Sequence, residues 1–182
     1  TEFNINDEFG KGDTLPENKG TWGNGLGNVF CVHYWLANEP RVKVALLHEL
    51  ARVIDGDGPN IHAHGRAYSL FAQALTGRTR ARSLTLARVP PLAGSGGNIP
   101  GVIGWAFNSP GKAAAYVVVN FSDTRQTLTG LRLLPGAKRY TQASAPLKAI
   151  TDPGETTGTL PQNALPLPPY SVTIIESARS KS

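Results

Sequence analysis

Cysteine occurs once in 182 residues, at Cys31, which excludes an internal disulfide; between Phe30 and Val32 it is expected to pack as a small apolar residue. Charged residues make up 17%. No apolar run approaches the roughly 18 residues a bilayer span needs, and no charged-then-apolar leader opens the chain, so no membrane partner is expected. No initiator methionine stands at the start, so the chain is expected to begin inside a larger protein, and the missing leader carries no information about export. Low charge with many Asn, Thr, Gly and Pro tilts the expected location toward the extracellular or periplasmic side. A basic run is missing too: the formal charge is +5, but it is spread along the chain, and no nucleic-acid partner is expected. The nearest thing to a basic pattern is Arg78, Arg80 and Arg82, whose period of two puts them on one face of an extended segment, where charge guards an exposed strand against edge pairing.

Present in quantity are glycine, 20 residues, and proline, 14, mostly clustered after residue 90, which predicts many turns and short strands there. Extended runs are read at 81–89, 102–107, 113–121, 127–134, 138–143 and 171–176. Turn-rich stretches such as Ser95-Gly96-Gly97, Ser109-Pro110-Gly111 and Pro135-Gly136 separate them, the spacing of an antiparallel β-sandwich. The first eighty residues differ. A short alternating strand at 1–6 leads into a Gly/Asn/Asp-rich loop at 7–24. Leu26, Val29, Phe30, Val32, Trp35 and Leu36 then fall at three-four spacing, which predicts a buried helix over 24–37 ended by Asn38 and Pro40. Residues 41–54 fit a strand or a helix, and propensity alone prefers the helix. The strand is adopted because the loop 55–65 and an apolar-faced helix at 66–76 would complete a second β/α unit. The fold class expected is α/β plus all-β, divided into 1–78 and 79–182.

The order of these features resembles a known group. Strand-end Thr1-Glu2, a long loop, a buried helix, the run Arg41-Val42-Lys43-Val44-Ala45-Leu46-Leu47, the helix from Arg66-Ala67-Tyr68 to near Gly77, and the closing Leu167-Pro168-Pro169-Tyr170-Ser171-Val172 look like the C-terminal portion of retaining (β/α)-barrel glycosidases of the α-L-arabinofuranosidase type. Related β-xylosidases and heparanase-like glucuronidases share the layout. The resemblance implies the last two β/α units of a TIM barrel followed by an antiparallel β-sandwich, and a carbohydrate substrate with no organic cofactor. It places the catalytic nucleophile at Glu2, although Phe3 stands where arabinofuranosidases usually have Trp. The partner acid of such enzymes belongs to a barrel strand outside this chain, so the chain without its missing N-terminal barrel segment is expected to be inactive. Retaining chemistry needs the two carboxyl groups about 5 to 5.5 Å apart.

Residues around Glu2 follow as candidates. Asn4 shares its strand face and can orient it or the sugar. Trp22, in the long loop, can offer a flat face to a sugar ring or pack against the barrel rim. His48 and Glu49 would lie at the tip of the second strand, within reach of a sugar hydroxyl. His62 and His64 form a His-x-His pair expected in a loop, a spacing that binds zinc when a third ligand such as His33 or Asp57 converges; nothing in the order of the chain brings these together, and no metal is expected. Asn120-Phe121-Ser122 matches a glycosylation acceptor but reads more simply as the polar end of a strand. Two rival readings remain. One is a non-catalytic sandwich binding carbohydrate through an outward-facing Trp105 and Tyr116. The other is a free-standing interaction domain with its helices packed on the sheet.

Overall fold

In the computed structural model, which describes residues 2–3, 20–38, 46–47, 61–92, 99–131 and 136–176, strand β1 (Glu2–Phe3) runs parallel to β2 (Leu46–Leu47). Glu2 stands opposite Leu46 and Phe3 opposite Leu47. Parallel neighbours cannot be joined by a tight turn and need a crossover of a dozen or more residues, usually a helix. Helix α1 (Trp22–Asn38) lies in that crossover. The strand reading of 41–54 therefore holds at Leu46–Leu47 despite helical propensity, because pairing with β1 outweighs a local preference worth a few tenths of a kcal/mol per residue. The rest of that stretch lies outside the described residues.

Both helices begin earlier than their apolar periodicity suggests. The Oγ1 of Thr21 accepts the backbone N–H of Asn24 at 3.1 Å, the geometry of a residue capping a helix N-terminus. Trp22, expected in the loop, is thus the first helical residue. Helix α2 (Ala63–Leu75) takes in His64, also expected in a loop; here the N–H of Ala63 finds an acceptor in the carbonyl of Ile150. The two helices approach closely where α1 has glycine. A Cβ on Gly25 would fall 2.8 Å from the His64 carbonyl oxygen and 2.9 Å from the Ala67 Cβ, so no larger residue fits without moving α2.

Two compact units divide the chain, 1–69 with 145–154, and 70–144 with 155–182. The division falls inside α2. Within the second unit, β3 (Arg80–Ser83), β4 (Val102–Ser109), β5 (Lys112–Asn120), β7 (Arg139–Ser144), β8 (Thr156–Thr159) and β10 (Ser171–Glu176) form a six-stranded antiparallel sheet in the order β3-β4-β5-β10-β7-β8. A separate antiparallel ribbon pairs β6 (Gln126–Thr129) with β9 (Ala164–Leu167). The β4–β5 hairpin turns through Pro110-Gly111, Gly111 at φ +73°, the proline-then-glycine pattern of a type II turn.

Both faces of the sheet's centre are covered. On one, Val102, Ala106, Tyr116, Val118 and Ile175 share a core with Leu128, Leu165 and Leu167 of the ribbon. On the other, Phe107 meets Phe71 of α2 edge to face at 5.7 Å and stacks with Trp105 at 6.2 Å. Double coverage explains why β4, β5 and β10 read as nearly unbroken apolar runs rather than alternating ones. It also removes the carbohydrate platform weighed above: Trp105 and Tyr116 are 3% and 4% exposed, so neither offers a face to a sugar. The C-terminus of α2 is closed by Gly77 at φ +67°, by Arg78 Nη1 on the Ala74 carbonyl at 3.0 Å and by Lys112 Nζ on the Thr76 carbonyl at 2.7 Å, cations where the helix dipole favours them.

Asn120 ends β5 fully buried. Its Nδ2 lies 2.9, 3.2 and 2.9 Å from the carbonyl oxygens of Thr124, Leu167 and Pro168, and its Oδ1 accepts from the N–H and hydroxyl of Ser122. The side chain is a structural clamp, not a glycosylation acceptor. Replacing Asn120 by Ala orphans several buried groups and is expected to lower stability by about 2 to 3 kcal/mol. Asn120→Asp, which turns an acceptor toward three carbonyls, should cost at least as much. Urea unfolding of the two variants reads both values, and a loss under about 0.5 kcal/mol would remove the clamp role.

Candidate functional site

Glu2 occupies the first position of β1, and the parallel register places β1 and β2 side by side with a common direction. Asn4, His48 and Glu49 follow these strands in sequence but lie outside the described residues, as does Asp57. Of the candidates on these strands, the described residues include Glu2, in β1 beside Leu46 of β2. Trp22 is fully buried at the start of α1, and of the two roles weighed for it, burial matches packing.

The best-defined chemistry in the first unit lies at the helix N-termini. The first N–H groups of an α-helix have no partner within the helix and must find one elsewhere. Here one segment with a turn at Leu147–Lys148 supplies them. The carbonyls of Leu147 and Ala149 accept the N–H groups of Gly23 and Trp22, each at 2.8 Å, and that of Ile150 accepts Ala63 N–H at 3.0 Å. Thr151 continues the segment in an antiparallel bridge with His62. Segment 145–154, drawn from between β7 and β8, thus caps α1 and α2 together. Asp152 anchors it: Arg66 Nε donates to Oδ1 at 2.9 Å and Nη2 to Oδ2 at 2.6 Å, a two-pronged pair. The Arg66 guanidinium, through these bonds first, and the N–H of Gly154 hold the Asp152 carboxyl below its usual range, against the opposing effect of burial.

Between the helices a polar chain is sealed from water. Asn24, Asn28 and His64 have at most 1% of their surface exposed. Asn28 Nδ2 donates to Asn24 Oδ1 at 3.3 Å and meets His64 Nε2 at 2.8 Å. Which of the two nitrogens donates in the Asn28–His64 contact is set by the tautomer of the ring. The ring fits because Gly20 lies against it, where a Cβ would collide with Nδ1 and Cβ of His64. This arrangement clamps α1 to α2; a fully buried imidazole held by an amide has no route to a substrate. Among the described residues, no group of three or more His, Cys, Asp or Glu converges to hold a metal ion. Cys31 is partly buried, and that burial raises its thiol pKa, which keeps it protonated and a poor nucleophile.

The sequence reading missed the Arg66–Asp152 pair and the Asn24–Asn28–His64 chain. The first joins residues 86 apart and leaves no local signal. The second left one: two Asn four positions apart on an otherwise apolar helix, a spacing that puts both on one face.

No protein-family model matches the chain, and no curated protein sequence matches it. Solved structures do match in fold. The GH51 arabinofuranosidase from Xanthomonas axonopodis pv. citri superposes with a TM-score of 0.60 at 14% identity, over 87% of this chain and 36% of that one. A GH30 endoxylanase from Clostridium papyrosolvens, at 12% identity, covers 98% of this chain and 41% of its own with a TM-score of 0.51. The catalytic domain of GH30 xylanase C from Talaromyces cellulolyticus gives the same TM-score, 0.51, at 15% identity, over 98% and 40%. The likeness is one of fold, to glycoside hydrolases, and the chain spans 36 to 41% of these solved chains.

Asp152 yields a signed pH expectation. Its folded pKa is depressed, so the stability it contributes is present above the unfolded carboxylate pKa of about 3.9 and is lost as pH falls through the folded value. Arg66→Gln should cost about 1 kcal/mol at pH 7, a value held down by partial exposure, and the gap between wild type and variant should close below about pH 4. Thermal unfolding of both proteins across pH 2 to 7 reads it; a gap unchanged at low pH would show that the pair is not the source.

Proposed function

We propose that this chain is the closing part of a retaining (β/α)-barrel glycosidase of the arabinofuranosidase type, its last two β/α units followed near residue 78 by an antiparallel β-sandwich. The observation that carries the reading is the parallel pairing of Glu2–Phe3 with Leu46–Leu47 around α1, supported by the fold likeness to glycoside hydrolases. Parallel strands end on the same side, and in (β/α) barrels the C-terminal ends of the strands hold the chemistry. Glu2, then Asn4 beyond β1, and His48 and Glu49 beyond β2, would all stand at that end.

In this reading the Glu2 carboxylate attacks the anomeric carbon of a carbohydrate substrate while an acid from elsewhere in the barrel protonates the departing oxygen. A glycosyl ester forms, and water then hydrolyses it, its proton returning to the same acid. Asn4, His48 and Glu49 hold sugar hydroxyls, while the buried Trp22 packs and does not touch the sugar. The acid/base must come from the missing barrel segment, so the chain alone is inactive and needs no organic cofactor to become active. A purely binding sandwich is the weaker alternative, since Trp105 and Tyr116 are buried.

The test is an N-terminally extended protein, read from the coding sequence upstream, assayed on aryl arabinofuranosides and xylosides. Turnover is expected there and not in the 182-residue chain. Glu2→Gln should lower kcat/KM at least ~10³-fold with the melting temperature unchanged. Turnover equal to wild type would remove Glu2 as nucleophile, and an extended protein inert on every glycoside would remove the glycosidase reading.

A further inference from the structure

Charge is divided unequally between the two units. The second has eleven Lys and Arg against three Asp and Glu, a formal +8, and the first seven against ten, −3, which together give the chain's +5. A charge spread without pattern along the sequence thus divides into a strongly basic unit and a mildly acidic one. We infer that the second unit is a docking surface for an anionic, uronate-bearing polysaccharide, with the outer strand β3 as its centre.

Four observations support the assignment. β3 is the terminal strand of the six-stranded sheet, and all four of its residues are exposed. Arg80 and Arg82 sit two positions apart and so project to one face, about 7 Å from each other along the strand. Neither has an ion-pair partner among the described residues, whereas the neighbouring cations Arg78 and Lys112 are already committed to the carbonyls that close α2. Arg88 and Arg125 add further exposed charge in the same unit. Guanidinium groups pair with carboxylates in two-pronged fashion, and a linear chain of uronates presents carboxylates at regular intervals to such a row. A single-stranded nucleic acid is the less suitable polyanion, because its binding surfaces add exposed aromatic faces for base stacking, and Trp105, Phe107 and Tyr116 are all buried. Guarding an edge strand needs a charge but does not account for a surplus of eight in one unit.

The role deepens the glycosidase reading by naming the substrate matrix, yet its test reads binding without turnover. The full chain is run in affinity gels containing polygalacturonate, or neutral arabinan and xylan, at 50 to 200 mM NaCl. Expected are retardation by polygalacturonate alone, weakening steeply with salt, and at least a ~10-fold loss of affinity in the double variant Arg80→Glu, Arg82→Glu. Its dependence of log K on log salt should be shallower by about 2. Arg80→Lys with Arg82→Lys, which keeps the charge but loses the two-pronged fork, should bind more weakly than wild type and more tightly than the double Glu variant, and circular dichroism confirms that all variants fold. No retardation at 50 mM NaCl overturns the proposal, as does an unchanged double variant or single-stranded DNA bound as tightly as polygalacturonate. An inactive extended enzyme that still binds the polyanion would sink the glycosidase reading and leave this one standing.

Discussion

A helix that starts inside a protein brings N–H groups that nothing in the helix can satisfy, and the first unit meets much of that demand with one segment of backbone between β7 and β8. Leu147, Ala149 and Ile150 give their carbonyls to Gly23, Trp22 and Ala63. Both helices are therefore set by a segment more than eighty residues away from either start. That arrangement fixes where α1 and α2 begin, and with them the entry of Trp22 and His64 into the buried layer. The Asn28–His64 contact and the close approach at Gly25 presuppose helices already held at these positions. The parallel pair β1–β2 has α1 as part of its crossover, so the pairing of these strands depends on the same cap.

In the second unit the constraint is different. Its sheet is covered on both faces, so the central strands are largely apolar, and the buried amide of Asn120 is satisfied by its own set of partners. Charge falls at the outer strand, at strand ends and in loops, with a surplus of one sign. A chain read linearly gives +5 without pattern; folded, it concentrates +8 on one body.

Much of this was legible from pattern, and the misses have physical causes. Long apolar runs located β4, β5 and β10, the last with both ends correct at Ser171 and Glu176, because a strand buried on both faces shows its length directly as hydrophobicity. Helix existence was equally plain, but the starts were misplaced by two and three residues, since capping by Thr21 and by distant carbonyls is not periodic. Two strands escaped notice. β8 is Thr-Thr-Gly-Thr, polar and interrupted by a glycine that is covered by the Tyr140 ring of its neighbour. β9 contains Pro166, which argues against a strand except at an edge, and β9 lies in a two-stranded ribbon where every strand is an edge. The parallel pairing of the strand that holds Glu2 followed from segment order and resemblance. The clamp of Asn24, Asn28 and His64 and the anchor of Arg66 on Asp152 come from contacts between distant segments that a linear reading does not contain.

Amide hydrogen exchange tests the capping account most directly. The comparison sets wild type against a variant in which residues 145–154 are replaced by a short Asn-Gly turn from β7 to β8. If those carbonyls set both helices, protection at Trp22, Gly23 and Ala63 falls at least ~100-fold and the loss spreads through the first turns of α1 and α2, while Val117, Val118 and Val119 in β5 keep theirs. Helix amides protected equally in both proteins would contradict it.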